Sequence, residues 1–208
     1  GGEVATPENV IDVANSGTTL RVAMGSCALL KGGMAVLTGD EQTRRRPCGP
    51  LARSLEDLGA RARSTRNNGC APFVIEGRLR GSETSIEAVS SQYLSSLLIN
   101  APLAPGDSTI RVPVLNERPY VDMTLDWLRR AGIQFEQDGY EYFRVPGGQE
   151  YPPFDRIIPG DFSSATFFLA AGALGENEVM VRGLDLNDTQ GDKAVVEYIQ
   201  RMGAQVEF

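Results

Sequence analysis

Two unrelated phrases recur along this chain at one interval, and a period of that length restricts the fold more than any single motif does. The first is a hydroxyl-rich turn that opens an apolar helix: Asn15-Ser16-Gly17-Thr18-Thr19-Leu20-Arg21, Val89-Ser90-Ser91-Gln92-Tyr93-Leu94 and Phe162-Ser163-Ser164-Ala165-Thr166-Phe167. Thr18 and Ser91 are 73 residues apart, as are Ser91 and Ser164. The second is a helix end stopped by glycine, in Leu55-Glu56-Asp57-Leu58-Gly59-Ala60, Leu128-Arg129-Arg130-Ala131-Gly132-Ile133 and Ile199-Gln200-Arg201-Met202-Gly203-Ala204. Its glycines follow one another at 73 and 71 residues. Two phrases in step imply one supersecondary unit used repeatedly.

Each unit reads as strand, helix, strand, helix, strand, strand. In the first, residues 10–13 and 34–38 are strands, a helix runs from the Asn15 turn to about Leu30, and Leu51, Leu55 and Leu58 form one face of a second helix. Pro47 suits the first position of that helix, and residues 60–64 and 72–76 pair across Asn67-Asn68-Gly69. In the second, Thr84, Ile86 and Ala88 alternate with polar residues as in a strand, and Leu94, Leu97 and Leu98 keep helical spacing. A strand over 108–112, a helix over 119–131 and a hairpin around Asp138-Gly139 complete it. Such units pack helices against mixed sheets, so the expected class is α/β (α+β).

The stretch from Pro146 to Pro153 is the richest in chain breakers and marks a boundary. Residues 1–150 then hold two units, 151–155 a linker, and 156–208 one unit of a second domain, ending on a strand over 204–208. That strand lacks its expected hairpin partner, so the chain reads as truncated within its own repeat.

A chain of 208 residues is long enough to bury a substantial core. The formal net charge of −7 speaks against nucleic acid or an anionic membrane as a partner. No apolar run reaches transmembrane length. Cys27, Cys48 and Cys70 follow no metal or redox spacing, which suggests free thiols in the cytoplasm. Histidine is absent, which removes the usual hydrolase base and most zinc sites. No metal is expected, and anions would fall to arginine, hydroxyls and backbone N–H groups.

The Ser90-Ser91 pair at a helix start supplies such a place. Unpaired N–H groups, the positive end of the helix dipole and two hydroxyls can seat a phosphate or carboxylate. The same serines can equally serve as plain helix caps.

The phrases Asn15-Ser16-Gly17-Thr18-Thr19-Leu20-Arg21, Leu37-Thr38-Gly39-Asp40 with Arg46-Pro47, Ser90-Ser91-Gln92-Tyr93-Leu94, Arg118-Pro119-Tyr120-Val121-Asp122-Met123-Thr124-Leu125, Gly160-Asp161-Phe162-Ser163-Ser164-Ala165 and Gln190-Gly191-Asp192 are collinear and span nearly the whole chain. As an ordered set they resemble the 5-enolpyruvylshikimate-3-phosphate (EPSP) synthase family. The related UDP-N-acetylglucosamine enolpyruvyl transferases are the alternative. Their mobile loop carries a cysteine before an arginine-proline pair, whereas here Cys48 follows Pro47.

The resemblance implies an inside-out α/β barrel built from βαβαββ units, incomplete here, with substrates between two domains. It implies transfer of the enolpyruvyl group of phosphoenolpyruvate to the 5-hydroxyl of shikimate 3-phosphate, without metal or organic cofactor. By carry-over Ser90, Ser91, Gln92, Arg118 and Tyr120 are the shikimate 3-phosphate residues, while Gly17, Arg46, Gln92, Asn15 and Thr18 serve phosphoenolpyruvate. Gly17 would also make room for glyphosate, and Asn15, Thr18 and Arg21 would shape its turn. Glu117 departs from the pattern, since a serine is often found three residues before the tyrosine.

The family's amino-terminal lysine-serine phrase and the catalytic groups of its second domain have no counterpart in this sequence. The chain alone is therefore expected to be inactive, with no catalytic residue retained. The competing expectation is a non-catalytic module that binds a phosphorylated ligand or self-associates through exposed repeat edges.

Overall fold

A computed structural model describes residues 4–208. The chain divides into two compact units, Gly1–Pro153 and Phe154–Phe208.

The first unit contains the same motif twice. Strands β1 (Ile11–Asp12), β2 (Met34–Thr38), β3 (Ala60–Ser64) and β4 (Phe73–Gly77) form a sheet in the order β1-β2-β4-β3. Strands β5 (Glu83–Ala88), β6 (Ser108–Leu115), β7 (Glu136–Asp138) and β8 (Tyr142–Val145) form a second sheet in the order β5-β6-β8-β7. In each the first pairing is parallel and the other two are antiparallel. A parallel pair needs a crossover, and helices α1 (Gly17–Cys27) and α3 (Ser91–Asn100) supply it. Helices α2 (Gly49–Asp57) and α4 (Arg118–Arg130) precede the closing hairpins. This is an α/β architecture of open mixed sheets, with no closed barrel among the described residues.

Burial follows the sequence periods. Along β5, Thr84, Ile86 and Ala88 face inward, and on α4 Val121, Leu125 and Leu128 do so. Helix α3 is buried almost all round, including Ser91, Ser95, Ser96 and Asn100. It packs against both α1 and α4. At the α1 crossing, a Cβ on Gly25 would lie 2.5 Å from Asn100 Nδ2 and 2.6 Å from Ser96 Oγ. Glycine therefore sets how closely the helices approach. The polar atoms there are paired: Ser96 Oγ donates to the Arg21 carbonyl at 2.7 Å, and Asn100 Nδ2 to the Ser96 carbonyl at 2.8 Å.

The recurring glycine phrase has one physical cause. Gly59, Gly132 and Gly203 have φ of 109°, 74° and 103°, each just past the last turn of a helix. A left-handed residue there lets backbone N–H groups close onto the final carbonyls, as Gly132 does to Arg129 at 3.0 Å.

Several elements differ from expectation. Helix α1 ends at Cys27, because Ala28 to Leu30 turn back on the last carbonyls. Pro47 does not open α2; it lies in an isolated bridge with Cys70, and Pro50 takes the first-turn position. The second unit contains α5 (Phe162–Gly172) and α6 (Ala194–Arg201), which pack together, but no strand is formed among its described residues, residues 204–208 included. A strand is completed by a neighbour's backbone. Here the extended segments share one bond, from Gly160 N–H to the Gly183 carbonyl at 2.7 Å.

Candidate functional site

The site lies where the N-termini of α1 and α3 meet. Ala14 adopts a left-handed conformation (φ 48°), fixed by Asp12 Oδ1, which accepts its N–H at 2.9 Å. That turn aims the Ala14 carbonyl at the next loop, where it accepts from Asp40 N–H at 2.9 Å and Thr43 Oγ1 at 3.0 Å. Asn15 Nδ2 donates to Asp40 Oδ2 at 2.6 Å, and Asp40 Oδ1 accepts the Thr43 N–H at 2.8 Å. The Thr43 N–H and the Asn15 amide hold the Asp40 carboxyl below its ordinary value. Asn15 thus supports the loop that carries Arg46.

Among the three consecutive arginines, Arg44 donates to the Gly39 carbonyl and Arg45 pairs with Glu41. Arg46 has no ion pair among the described residues, and its NH1 would lie 2.9 Å from a Cβ added to Gly17. Arg21 NH1 would lie 3.1 Å from the same point. Two guanidinium groups therefore converge on Gly17, which is the first residue of α1 rather than a left-handed turn residue. Ser16 caps that helix by accepting the Thr19 N–H at 3.1 Å.

Helix α3 adds an amide and hydroxyls. Gln92 Oε1 accepts from Arg21 NH1 at 2.5 Å, and its Nε2 donates to Thr18 Oγ1 at 2.9 Å. Gly17, Thr18, Arg46 and Gln92, which the sequence grouped together, are brought together with Arg21 added. The resemblance implies only a turn-shaping role for Arg21, whereas the structure places it on the buried face of the helix with Leu20 and Met24, a position that its helical spacing from those residues signals.

Ser90 is the N-cap of α3, yet its side chain makes no capping hydrogen bond. Ser91 is 1% exposed and donates to Glu117 Oε2 at 3.1 Å. Glu117 is itself the left-handed N-cap of α4 (φ 59°). Ser95 and Thr124 hydroxyls share a bond of 2.7 Å one turn along, so α4 turns Glu117 and Thr124 toward α3. Tyr120, one turn before Thr124, is 42% exposed. Arg118 is directed elsewhere, over the Tyr140 ring at 5.2 Å, and Tyr140 OH donates to Asp122 at 2.6 Å.

Cys48 is fully buried, and burial raises its thiol pKa against the opposing charge of Arg21. It is a packed thiol behind the site. Among the described residues no cluster of acidic, cysteine or histidine side chains could hold a metal ion, and no helix is long and apolar enough to cross a membrane.

Comparison with known proteins converges on one family. The family model described as EPSP synthase (3-phosphoshikimate 1-carboxyvinyltransferase) matches residues 1–208. A 3-phosphoshikimate 1-carboxyvinyltransferase of Acetivibrio thermocellus is 52% identical over 206 residues, covering 99% of this chain and 48% of that protein. One of Methanothrix thermoacetophila is 52% identical over 209 residues, covering 100% of this chain and 48% of that protein. The structure of EPSP synthase from Acinetobacter baumannii superposes with a TM-score of 0.74 at 27% identity, covering 96% of this chain and 44% of the other. The chain spans about half the length of the curated relatives it matches.

Proposed function

We propose, on the premise that this chain belongs to the EPSP synthase family, that it forms part of a cytoplasmic transferase joining the enolpyruvyl group of phosphoenolpyruvate to the 5-hydroxyl of shikimate 3-phosphate, with release of phosphate. The observation that carries this reading is the pair of guanidinium groups on Gly17, without carboxylate partners among the described residues, beside the Gln92 amide. Such a group suits a small dianion: Arg46 offers a fork to a carboxylate, Gly17 leaves space, and Thr18 and Gln92 add polar contacts.

In this reading Ser90 and Ser91 form the neighbouring seat for the 3-phosphate, with Tyr120 over the ring and Arg118 swinging from Tyr140 on binding. The two seats start helices packed side by side, so they would bring the reacting groups close, and holding two reactants in contact removes much of the entropic part of the barrier. Residues 1–150 supply the shikimate 3-phosphate side, 151–155 link, and 156–208 belong to the second domain. We assign these residues substrate binding, and no turnover by them alone.

Calorimetric titration tests this. Phosphoenolpyruvate binding that Arg46→Met removes, with shikimate 3-phosphate binding that Ser90→Ala/Ser91→Ala removes, is the expected result. Binding indifferent to these changes, or turnover by the chain alone, would overturn it.

A second reading, self-association, is favoured by the apolar residues left exposed on the smaller unit, such as Phe167, Phe168 and Met202. Sedimentation velocity showing only monomer would remove it.

A further inference from the structure

We infer that Arg21 is a positioning residue, which orients the Gln92 amide and sets a second positive charge behind Gly17; the inference deepens the reading above and rests on it. Arg21 is 8% exposed, and its guanidinium lies 5.4 Å over the Tyr93 ring. Burying a guanidinium is normally compensated by a carboxylate. None of the ion pairs among the described residues includes Arg21, and its Nε is buried without a hydrogen-bond partner. Arg21 NH1 donates to Gln92 Oε1 at 2.5 Å, and the Cys48 and Tyr93 side chains, both uncharged, are its other hydrogen-bond neighbours.

This geometry leaves the amide one orientation. An arginine donates only, so the end of Gln92 facing it must be the carbonyl. The NH2 end then points toward Thr18, 2.9 Å away, on the side where Gly17 and Arg46 lie. An anion seated there meets an amide donor rather than an oxygen lone pair. Without Arg21 the amide would turn freely, and half of its orientations would oppose the anion. The unneutralised guanidinium adds attraction through the helix start. A merely structural arginine would affect stability without governing which end of Gln92 faces the site.

The test combines side-chain amide NMR with titration of phosphoenolpyruvate. Arg21→Met keeps the packing on Tyr93 but removes donor and charge. We expect the Gln92 Nε2 proton pair to lose its separation and solvent protection, and affinity to fall roughly a hundredfold, with Arg21→Lys restoring part of both. Gln92→Glu gives the buried guanidinium its missing counter-ion, so the melting temperature should rise while phosphoenolpyruvate binding is lost. Unchanged Gln92 resonances in Arg21→Met, or a Gln92→Glu variant that binds as well as the parent, would overturn the inference. If the parent chain and Arg46→Met alike ignore phosphoenolpyruvate, the functional reading fails, while the Gln92 resonances still decide the role of Arg21.

Discussion

The hydroxyl of the buried Ser91 is donated to the carboxylate of Glu117 at 3.1 Å, across the starts of two helices 26 residues apart in the chain. The relationship places a negative group against the hydroxyl assigned to a phosphate. Glu117 is exposed and can swing away, but an incoming phosphate must displace it. Glu117→Ser removes the charge and restores a short hydroxyl. Shikimate 3-phosphate should then bind roughly tenfold more tightly, since a carboxylate adjoining a phosphate disfavours the doubly charged state. Isothermal titration at constant ionic strength measures it.

Gly17 and Gly25 lie on one helix but should respond oppositely to alanine. At Gly17 the added Cβ meets the far ends of two arginine side chains, which can move. The melting temperature should stay level or rise, as alanine favours helix by up to about 1 kcal/mol, while phosphoenolpyruvate and glyphosate bind more weakly. At Gly25 the Cβ meets Ser96 and Asn100 of α3, with the Ser96 carbonyl at 3.1 Å. Forcing packed helices apart should cost about 1–3 kcal/mol. Denaturant unfolding of the two variants separates these effects.

Asp40 makes the loop that carries Arg46 sensitive to acid. Its carboxyl is held below the ordinary 3.8 by the Thr43 N–H and the Asn15 amide. A group depressed in the folded state stabilises above its unfolded value and loses that contribution as pH falls through the lower folded value. The loop should therefore loosen only below about pH 3.8. Asp40→Asn should abolish that acid step, read by amide exchange at residues 40–46.

Tyr151 acts at the other end of the pH scale. Burial pushes its phenol above the ordinary 10.0, and its OH donates to the Ile99 carbonyl at 2.7 Å. A raised phenol stabilises fully below the unfolded value and progressively less as pH rises past it. Tyr151→Phe should cost about 1 kcal/mol at neutral pH and flatten the loss of stability above pH 10, both measurable by urea titration.

Asp161 accepts the Ser163 and Ser164 N–H groups at 3.1 and 3.0 Å and so caps α5. Asp161→Ala should lower the stability of that helix by about 1 kcal/mol, seen as faster amide exchange in its first turn.

What the sequence determined by itself is local or periodic. The helix starts at Ser16 and Ser90, the glycine stops at Gly59, Gly132 and Gly203, and the doubled strand-helix pattern all depend on residues within a turn or a hairpin of one another. Propensity and alternation carry that information directly. The site was legible only as a set of residue types. Tertiary structure decided which groups meet: Arg21 with Gln92 across 71 residues, Ser91 with Glu117 across 26, and Arg118 with Tyr140 instead of the serines. Those pairings depend on how α1, α3 and α4 cross, and the crossing is set by close packing at Gly25, Ser95 and Ser96 rather than by spacing. The same reason explains the strands expected within 156–208: a β-ladder exists only where another backbone lies alongside, which no periodicity in its own residues can supply.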